Sequence, residues 1–361
     1  MKKLFIAALA FVMLSVMSAP GYSAYKAEYK LDIVPSLTTA WGMGASYFAD
    51  LVKQRTDGRV NIKVYPNSQL TTGQQTNAFM LLRNGTIDFA VQSTINYSPQ
   101  IVQLNLFALP FFIANQPDRY KALDAITEGK AGAMVGKIVE ERGAVFLAYG
   151  ENGFRELTNN SRDIRKPDDM KGMKFRVVGS PLFLDIFSAL GANPTAMAWS
   201  DTMSAIQQGV IDGQENPINT FYPLRVTEYH KYITNWHYIA DPTLFVVNPN
   251  AWKGFSAADQ EIIRQAAKDA GTYMKALARC GIDENDGGAN LKYLQSINMV
   301  PEVTDWPAKL KGEGISFVDL TPAETQAFVD ATKSVYAKWE PQIGADLMQA
   351  ARDDMAAAAK K

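Results

Sequence analysis

Apolar and polar positions along this chain switch repeatedly between a period of two and a period near 3.6, and the switching lays out its elements. Tyr29 to Val34 alternates as a strand does, and PSLTTAW then leads into a helix whose Met43, Tyr47, Phe48, Leu51 and Val52 share one stripe. Val60 to Val64 predicts a second strand, Thr72 to Arg83 a helix, and Ile87 to Val91 a third strand running out into Gln92, Ser93 and Thr94. A further helix ends near Arg142, Ala144 to Ala148 returns to strand, and Asn152-Gly153 reads as a turn. Strands alternating with helices predict an α/β fold with a largely parallel, doubly wound sheet. Ligands collect at the C-terminal strand edges of such sheets, which marks Thr38 in the first turn and Ser93 and Thr94 after the third strand.

The stretch from Lys174 to Pro217 is the densest. KFRVV is β-branched and aromatic around a single Arg176, so its guanidinium stands where a sheet places an apolar side chain. A buried arginine needs an anion, either an external carboxylate or an acid nearby such as Asp185 on the next helix. Leu182, Phe183, Ile186, Phe187 and Leu190 predict that helix, with Gly191 as its stop. The short ANPTAMA strand ends at Trp199, Ser200 is positioned to cap a helix, and GVIDGQENP reads as a polar turn that presents Asn216 just before Pro217.

Further on, Tyr232 to Ala240 and Thr243 to Val247 read as strands. Ser256 to Asp259 opens a long helix through Ile263, Ala266, Ala270, Tyr273, Met274 and Leu277, with a break expected at Gly281 and Gly287-Gly288. Thr321 to Glu324 is a capping box with proline at the first helical position, and the helical region it opens frays into AAAAKK. LFALPFFI, Leu106 to Ile113, is the most apolar window after the leader and reads as core.

The order and spacing K-F/L-R-V, then G-A-x-P-T-x-M-A-F/W, then D-G-Q-E-N-P resemble the solute-binding proteins of tripartite ATP-independent periplasmic (TRAP) transporters, the C4-dicarboxylate- and sialic-acid-binding family. The likeness extends more weakly from TDGRVNIKVYPNSQL to the long helix. It implies a two-lobed periplasmic binding protein fold with interleaved domains, a ligand cleft between the lobes that closes on binding, and a long helix backing both. It also implies a secondary transporter of two membrane subunits as partner, no ATPase, and a place in the cleft for Arg155 of the NG-x-R-x-x-T segment. Read from its neighbours alone, Arg155 in a polar loop is as well a solvated surface residue. The expected division is a signal peptide at 1–24, one lobe from 25–150 with 241–280, and the other from 151–240 with 281–361.

Composition fits this. A length of 361 residues suggests about two domains, and a net charge of −1 excludes nucleic acid or an anionic membrane surface as the main partner. Met1 to Lys3, the apolar run Leu4 to Val16 and SAPGYSA form a secretory signal with cleavage between Ala19 and Ala24, so the mature protein is expected in the periplasm, as a monomer. One cysteine, Cys280, allows no internal disulfide and reads as a core residue. His230 and His237, seven apart, match no zinc helix or triad, and no phosphate loop or dinucleotide fingerprint occurs. No cofactor, metal or enzymatic activity is expected. The alternatives are a sensory receptor for a histidine kinase or, from another class, a periplasmic carboxylate lyase or isomerase.

For the ligand, the planar fork of Arg176 suits bidentate contact with a carboxylate, with Arg155 and Asn216 on its remaining lone pairs. Sialic-acid-binding members of the family bring acidic and amide groups from the first lobe. The turns VPSLTTAW and VQSTINY here hold no acid, and Trp41, Trp199, Phe221 and Tyr222 offer flat walls. That favours an aromatic or apolar monocarboxylate, such as a 2-oxo acid, over sugar acids and C4-dicarboxylates.

Overall fold

The computed structural model describes residues 25–282 and 288–360; the expected signal peptide and Gly287 lie outside them. The strands in chain order are β1 (Tyr29–Asp32), β2 (Ile62–Tyr65), β3 (Phe89–Ser93), β4 (Val145–Phe154), β5 (Glu156–Asn159), β6 (Lys174–Val177), β7 (Asn193–Ala196), β8 (Gly213–Asn216), β9 (Tyr232–Asn235), β10 (Ala240–Val247) and β11 (Ser316–Asp319). They form two sheets, ordered β2-β1-β3-β10-β4 and β11-β9-β5-β8-β6-β7, and each is the floor of one lobe.

Neither sheet is wholly parallel. β10 runs antiparallel to β3 and β4, and β5 antiparallel to β8 and β9. These are the strands on which the chain passes between sheets: β4 reaches β5 across Arg155 alone, and β9 reaches β10 across 236–239. Parallel neighbours need a crossover of a dozen residues, so a chain that crosses this directly enters against its neighbours.

Several boundaries moved for local reasons. The helix expected from Thr72 begins only at Ala78 (Ala78–Arg83), because Thr72 and Gly73 take left-handed backbone at φ 50° and 84°, and short 3-10 turns precede it. Asn152-Gly153 is no turn. β4 continues to Phe154, with Gly153 at φ 122° where its register against β10 shifts. The strand expected over Tyr232 to Ala240 splits around His237, which is left-handed at φ 50°. GQEN, expected in a turn, is β8, paired on both sides.

The long helix Ala257–Arg279, capped by Ser256 as expected, lies along β4 and the helix Ala40–Arg55. Its C-terminal end reaches Asn219, whose Nδ2 donates to Ala278 O at 3.4 Å. Residues 281–361 were expected with the second lobe, yet the helix Ala345–Ala359 packs on Arg119–Glu128 and Lys130–Glu141 beside the first sheet. Small buried residues, Ala350 and Ala351, allow the close approach, and Asp354 accepts from Lys130 N (3.2 Å) and Ala131 N (2.8 Å), capping a helix that Gly129 leaves uncapped. Leu106 to Leu109, Phe111 and Ile113 are core, and Cys280 is buried. His230 is fully enclosed with Nδ1 2.8 Å from Thr158 Oγ1, and burial holds its pKa down at about 4. No described helix is long and apolar enough to cross a membrane.

Two features of the first lobe yield stability predictions. A Cβ on Gly271 would stand 2.1 Å from the Tyr149 carbonyl oxygen. Alanine's helix propensity favours the substitution by about 1 kcal/mol, but overpacking against backbone costs about 1–3 kcal/mol, so Gly271→Ala should lower the urea midpoint. Asp32, wholly buried on β1, has its pKa pushed to about 7 by desolvation, against the pull of the Gln92 side-chain bond. The unfolded carboxyl ionises near pH 3.9, so the native state binds more protons between about pH 4 and 7 and loses stability as pH rises. Asp32→Asn should remove that slope. In urea titrations at pH 5 and pH 7, the stability of the Asn variant relative to wild type should rise with pH by up to about 1.4 kcal/mol per unit.

Candidate ligand-binding site

Beside the crossings, residues of both lobes line one cavity. The first lobe contributes Trp41, Gln75, Ser93 and Asn96, and the second Arg176, Val178, Trp199 and Asn216. Arg155 and Asp241 close it at the crossings themselves. The space not filled by atoms is about 340 Å³, but only about 20 Å³ of it accepts the centre of a water molecule, so the walls stand close together.

Arg176 is 1% exposed, the largest side chain so fully enclosed. Its Nε and Nη2 donate to Met197 O at 3.0 and 2.8 Å, and the guanidinium lies over the Trp199 ring at 5.3 Å. No carboxylate of the described residues lies within ion-pair distance of it, and Nη1 makes no hydrogen bond to them. Asp185, the internal alternative, pairs instead with Lys338 Nζ (2.6 Å) and Trp339 Nε1 (2.7 Å). Burial pulls the Arg176 pKa down to about 10, with Glu215 opposing and Arg155 adding to the shift. Such a cation is stabilised by an anion delivered to the cavity.

Arg155 is differently placed. Nε and Nη2 grip Glu215 side-on at 2.5 and 2.8 Å, Nη2 also donates to Glu215 O (2.8 Å), and Nη1 reaches Asp241 Oδ2 at 2.7 Å. Burial opposes the charge, yet the two carboxylates outweigh it and raise the pKa further. One N–H of five is left over, so Arg155 lines the site chiefly as a strut. Asp241 also accepts from Asn152 Nδ2 (2.8 Å) and from Ser93 Oγ, while Ser93 Oγ accepts from Ile95 N at 3.1 Å. Asn216, last residue of β8, donates to Gln214 Oε1 at 2.9 Å, and Trp41 Nε1 to Val91 O at 2.8 Å.

The structure thus brings Arg176, Arg155, Asn216, Trp199, Ser93 and Trp41 to one cavity and leaves four expected residues outside. Thr38 is exposed, bonded to Ser36 Oγ at 2.8 Å, because Thr39 turns inward to cap the helix at Gly42 N. Thr94 is buried as the first residue of the turn Thr94–Tyr97 and does not line the cavity. Phe221 is core, and Tyr222 points outward to Glu313 Oε1 (2.6 Å), so neither supplies a wall. Gln75, Asn96, Asn152 and Asp241 were missed. Asp241 carried a readable signal, a lone acid in the apolar run IADPTLFVV, the same signal that marked Arg176. The amides carried none.

The family model described as bacterial extracellular solute-binding protein, family 7 (DctP) matches residues 32–284. The chain is 31% identical over 274 residues to the 2,3-diketo-L-gulonate-binding periplasmic protein YiaO of Escherichia coli, covering 76% of this chain and 80% of that one. A crystal structure of a TRAP periplasmic solute-binding protein from Ralstonia eutropha, with (S)-2-hydroxy-2-methyl-3-oxobutanoate bound, superposes with a TM-score of 0.83 at 48% identity, covering 92% of this chain and 99% of that one. Another from Sulfurospirillum deleyianum, with succinate bound, gives 0.75 at 29% identity, covering 91% and 99%. Two lobes meeting over an enclosed, carboxylate-free arginine, in a sequence matched over this span, leave one assignment: the chain belongs to family 7 of the bacterial extracellular solute-binding proteins, the periplasmic receptors of TRAP transporters.

Proposed function

We propose that this receptor captures a small monocarboxylate with a compact apolar body and an oxygen on C2, a 2-oxo or 2-hydroxy acid, and delivers it unchanged to the membrane subunits of a TRAP transporter. The observation that carries the reading is Arg176: enclosed, stacked on Trp199, and with an Nη1 edge that no described residue occupies. A carboxylate meets that edge, Ser93 and Asn216 lie within the same walls, and Trp41, Trp199 and Val178 give the body an apolar seat. The polar side chains that the first lobe brings to the cavity, Gln75, Ser93 and Asn96, already hold hydrogen bonds to protein groups, so additional hydroxyls would find few partners, which disfavours sugar acids. The narrow space favours a short branched body over an aromatic ring. The 48% identical relative with an acetolactate bound supports the same class. In this reading 25–150 with 241–280 moves as one lobe, carrying the last helix with it, and 151–240 with the following residues moves as the other.

Two measurements test it. Truncating one partner of a buried charge pair costs about 2–5 kcal/mol, so Arg176→Ala should weaken binding at least about thirtyfold with circular dichroism unchanged. Arg176→Lys should also bind weakly, since an ammonium cannot reproduce the fork. Wild-type affinity by calorimetry in the Ala variant would remove Arg176 from the site. In a thermal-shift screen, 2-acetolactate and 3-methyl-2-oxobutanoate should raise the melting temperature, a hundredfold excess over Kd contributing about 2.7 kcal/mol. Stabilisation by hexuronates or succinate alone would overturn the proposed class and leave carboxylate capture standing.

A further inference from the structure

The helix Trp199–Gln207 begins at the cleft with no local cap: Ala198 holds the N-cap position and no side chain of its own segment bonds the first turn. Ser200, the residue whose chemistry suits a cap, lies one position inside the helix and meets Asp201 instead. The Trp199 N–H is nevertheless satisfied. It donates to Gln75 Oε1 at 2.7 Å, and Gln75 belongs to the opposite lobe.

Gln75 does not stand alone. Its Nε2 donates to Asn96 Oδ1 (2.9 Å), Asn96 Nδ2 to Gln92 Oε1 (3.1 Å), and Gln92 Nε2 to Asp32 Oδ2 (2.6 Å). All four side chains are buried. The chain has a fixed polarity, because the backbone N–H of Trp199 can only donate, so Gln75 must turn its oxygen to it and each amide then donates to the next. Each amide orientation therefore fixes the next, and Gln75 presents its oxygen, not its nitrogen, across the cleft. The surrounding surfaces are shaped for the same contact. Ser98 Oγ lies 2.9 Å from Ser180 Oγ, and a Cβ on Gly73 would stand 3.0 Å from Ser200 Oγ, so that loop approaches the second lobe closely.

We propose that Gln75 is the clasp of the closed receptor: its carboxamide, held by the hydrogen-bonded chain of Asn96, Gln92 and Asp32, caps the Trp199 helix from the other lobe and slows opening. The cap can form only when the lobes meet, since the open form separates Gln75 from the second lobe. Gln75 is thus a positioning residue. Its partner's indole is the surface on which Arg176 stacks, so closure and the shape of the anion site are set together. The inference rests on lobe closure and not on which acid is bound.

The test uses the full mature chain with Gln75→Leu and Gln75→Glu, with 2-acetolactate as probe. A hydrogen bond of ordinary net worth changes a rate about three- to tenfold. Gln75→Leu should speed stopped-flow release of 2-acetolactate by that factor with association unchanged, and should speed exchange of the Trp199 amide in the loaded protein while leaving it unchanged in the open, ligand-free one. Gln75→Glu, which keeps an acceptor there, should retain the amide's protection. Wild-type protection and release in Gln75→Leu, or equal loss of protection in both variants, would overturn the clasp. If 2-acetolactate fails to bind wild type, the ligand reading fails, and the same exchange comparison with succinate or a hexuronate, whichever stabilises the wild type, still decides the clasp.

Discussion

One buried guanidinium holds the two halves of this molecule in register. Arg155 is the single residue between β4 and β5, hence the point where the chain first leaves one sheet for the other. It reaches Glu215 in the heart of the second sheet and Asp241 at the start of β10, where the chain has just returned. Both crossings and both sheets therefore meet at one ion cluster, joined also by Tyr238, whose hydroxyl donates to Glu215 Oε2 at 2.7 Å. Breaking such a cluster leaves an uncompensated buried charge, which costs far more than the intact pair contributes. Conformational specificity, here the relative placement of two lobes, is what this geometry secures.

The cluster also explains the chemistry of the cavity next to it. Two carboxylates converge on Arg155 and neither touches Arg176. The site thereby separates two arginines by role: one is satisfied internally and rigid, and the other is held by a backbone carbonyl and an indole with an edge to spare. A receptor needs this asymmetry. An anion gains from a cation that is desolvated and pre-positioned, and gains little from one already saturated by protein acids.

Polarity misleads where tertiary partners are hidden. GQEN reads as a turn because glycine and three polar residues favour one, yet it is an interior strand. Every polar side chain in it finds a buried partner: Gln214 on Thr158, Glu215 on Arg155, Asn216 on Gln214. Ser200 reads as a helix cap, yet the cap comes from Gln75, far away in sequence. Thr38 and Thr39 are indistinguishable in composition, and only the direction of the turn sends one outward and the other to Gly42 N.

The sequence by itself determined the alternation of strands and helices, the family through its Lys174 to Pro217 motifs, and the place of Arg176 as a lone charge within an apolar strand. Those rest on local periodicity and on a charged residue in an apolar run, which are properties of neighbours along the chain. Tertiary structure alone decided that Arg155 is a strut, that Asp241 and the amides Gln75, Asn96 and Asn152 wall the cavity, that Phe221 is core, and that the last helix packs beside the first sheet. Each of these depends on which distant polar group lies within hydrogen-bond reach. The free energy of a buried polar residue is set by that partner, and sequence spacing does not encode it.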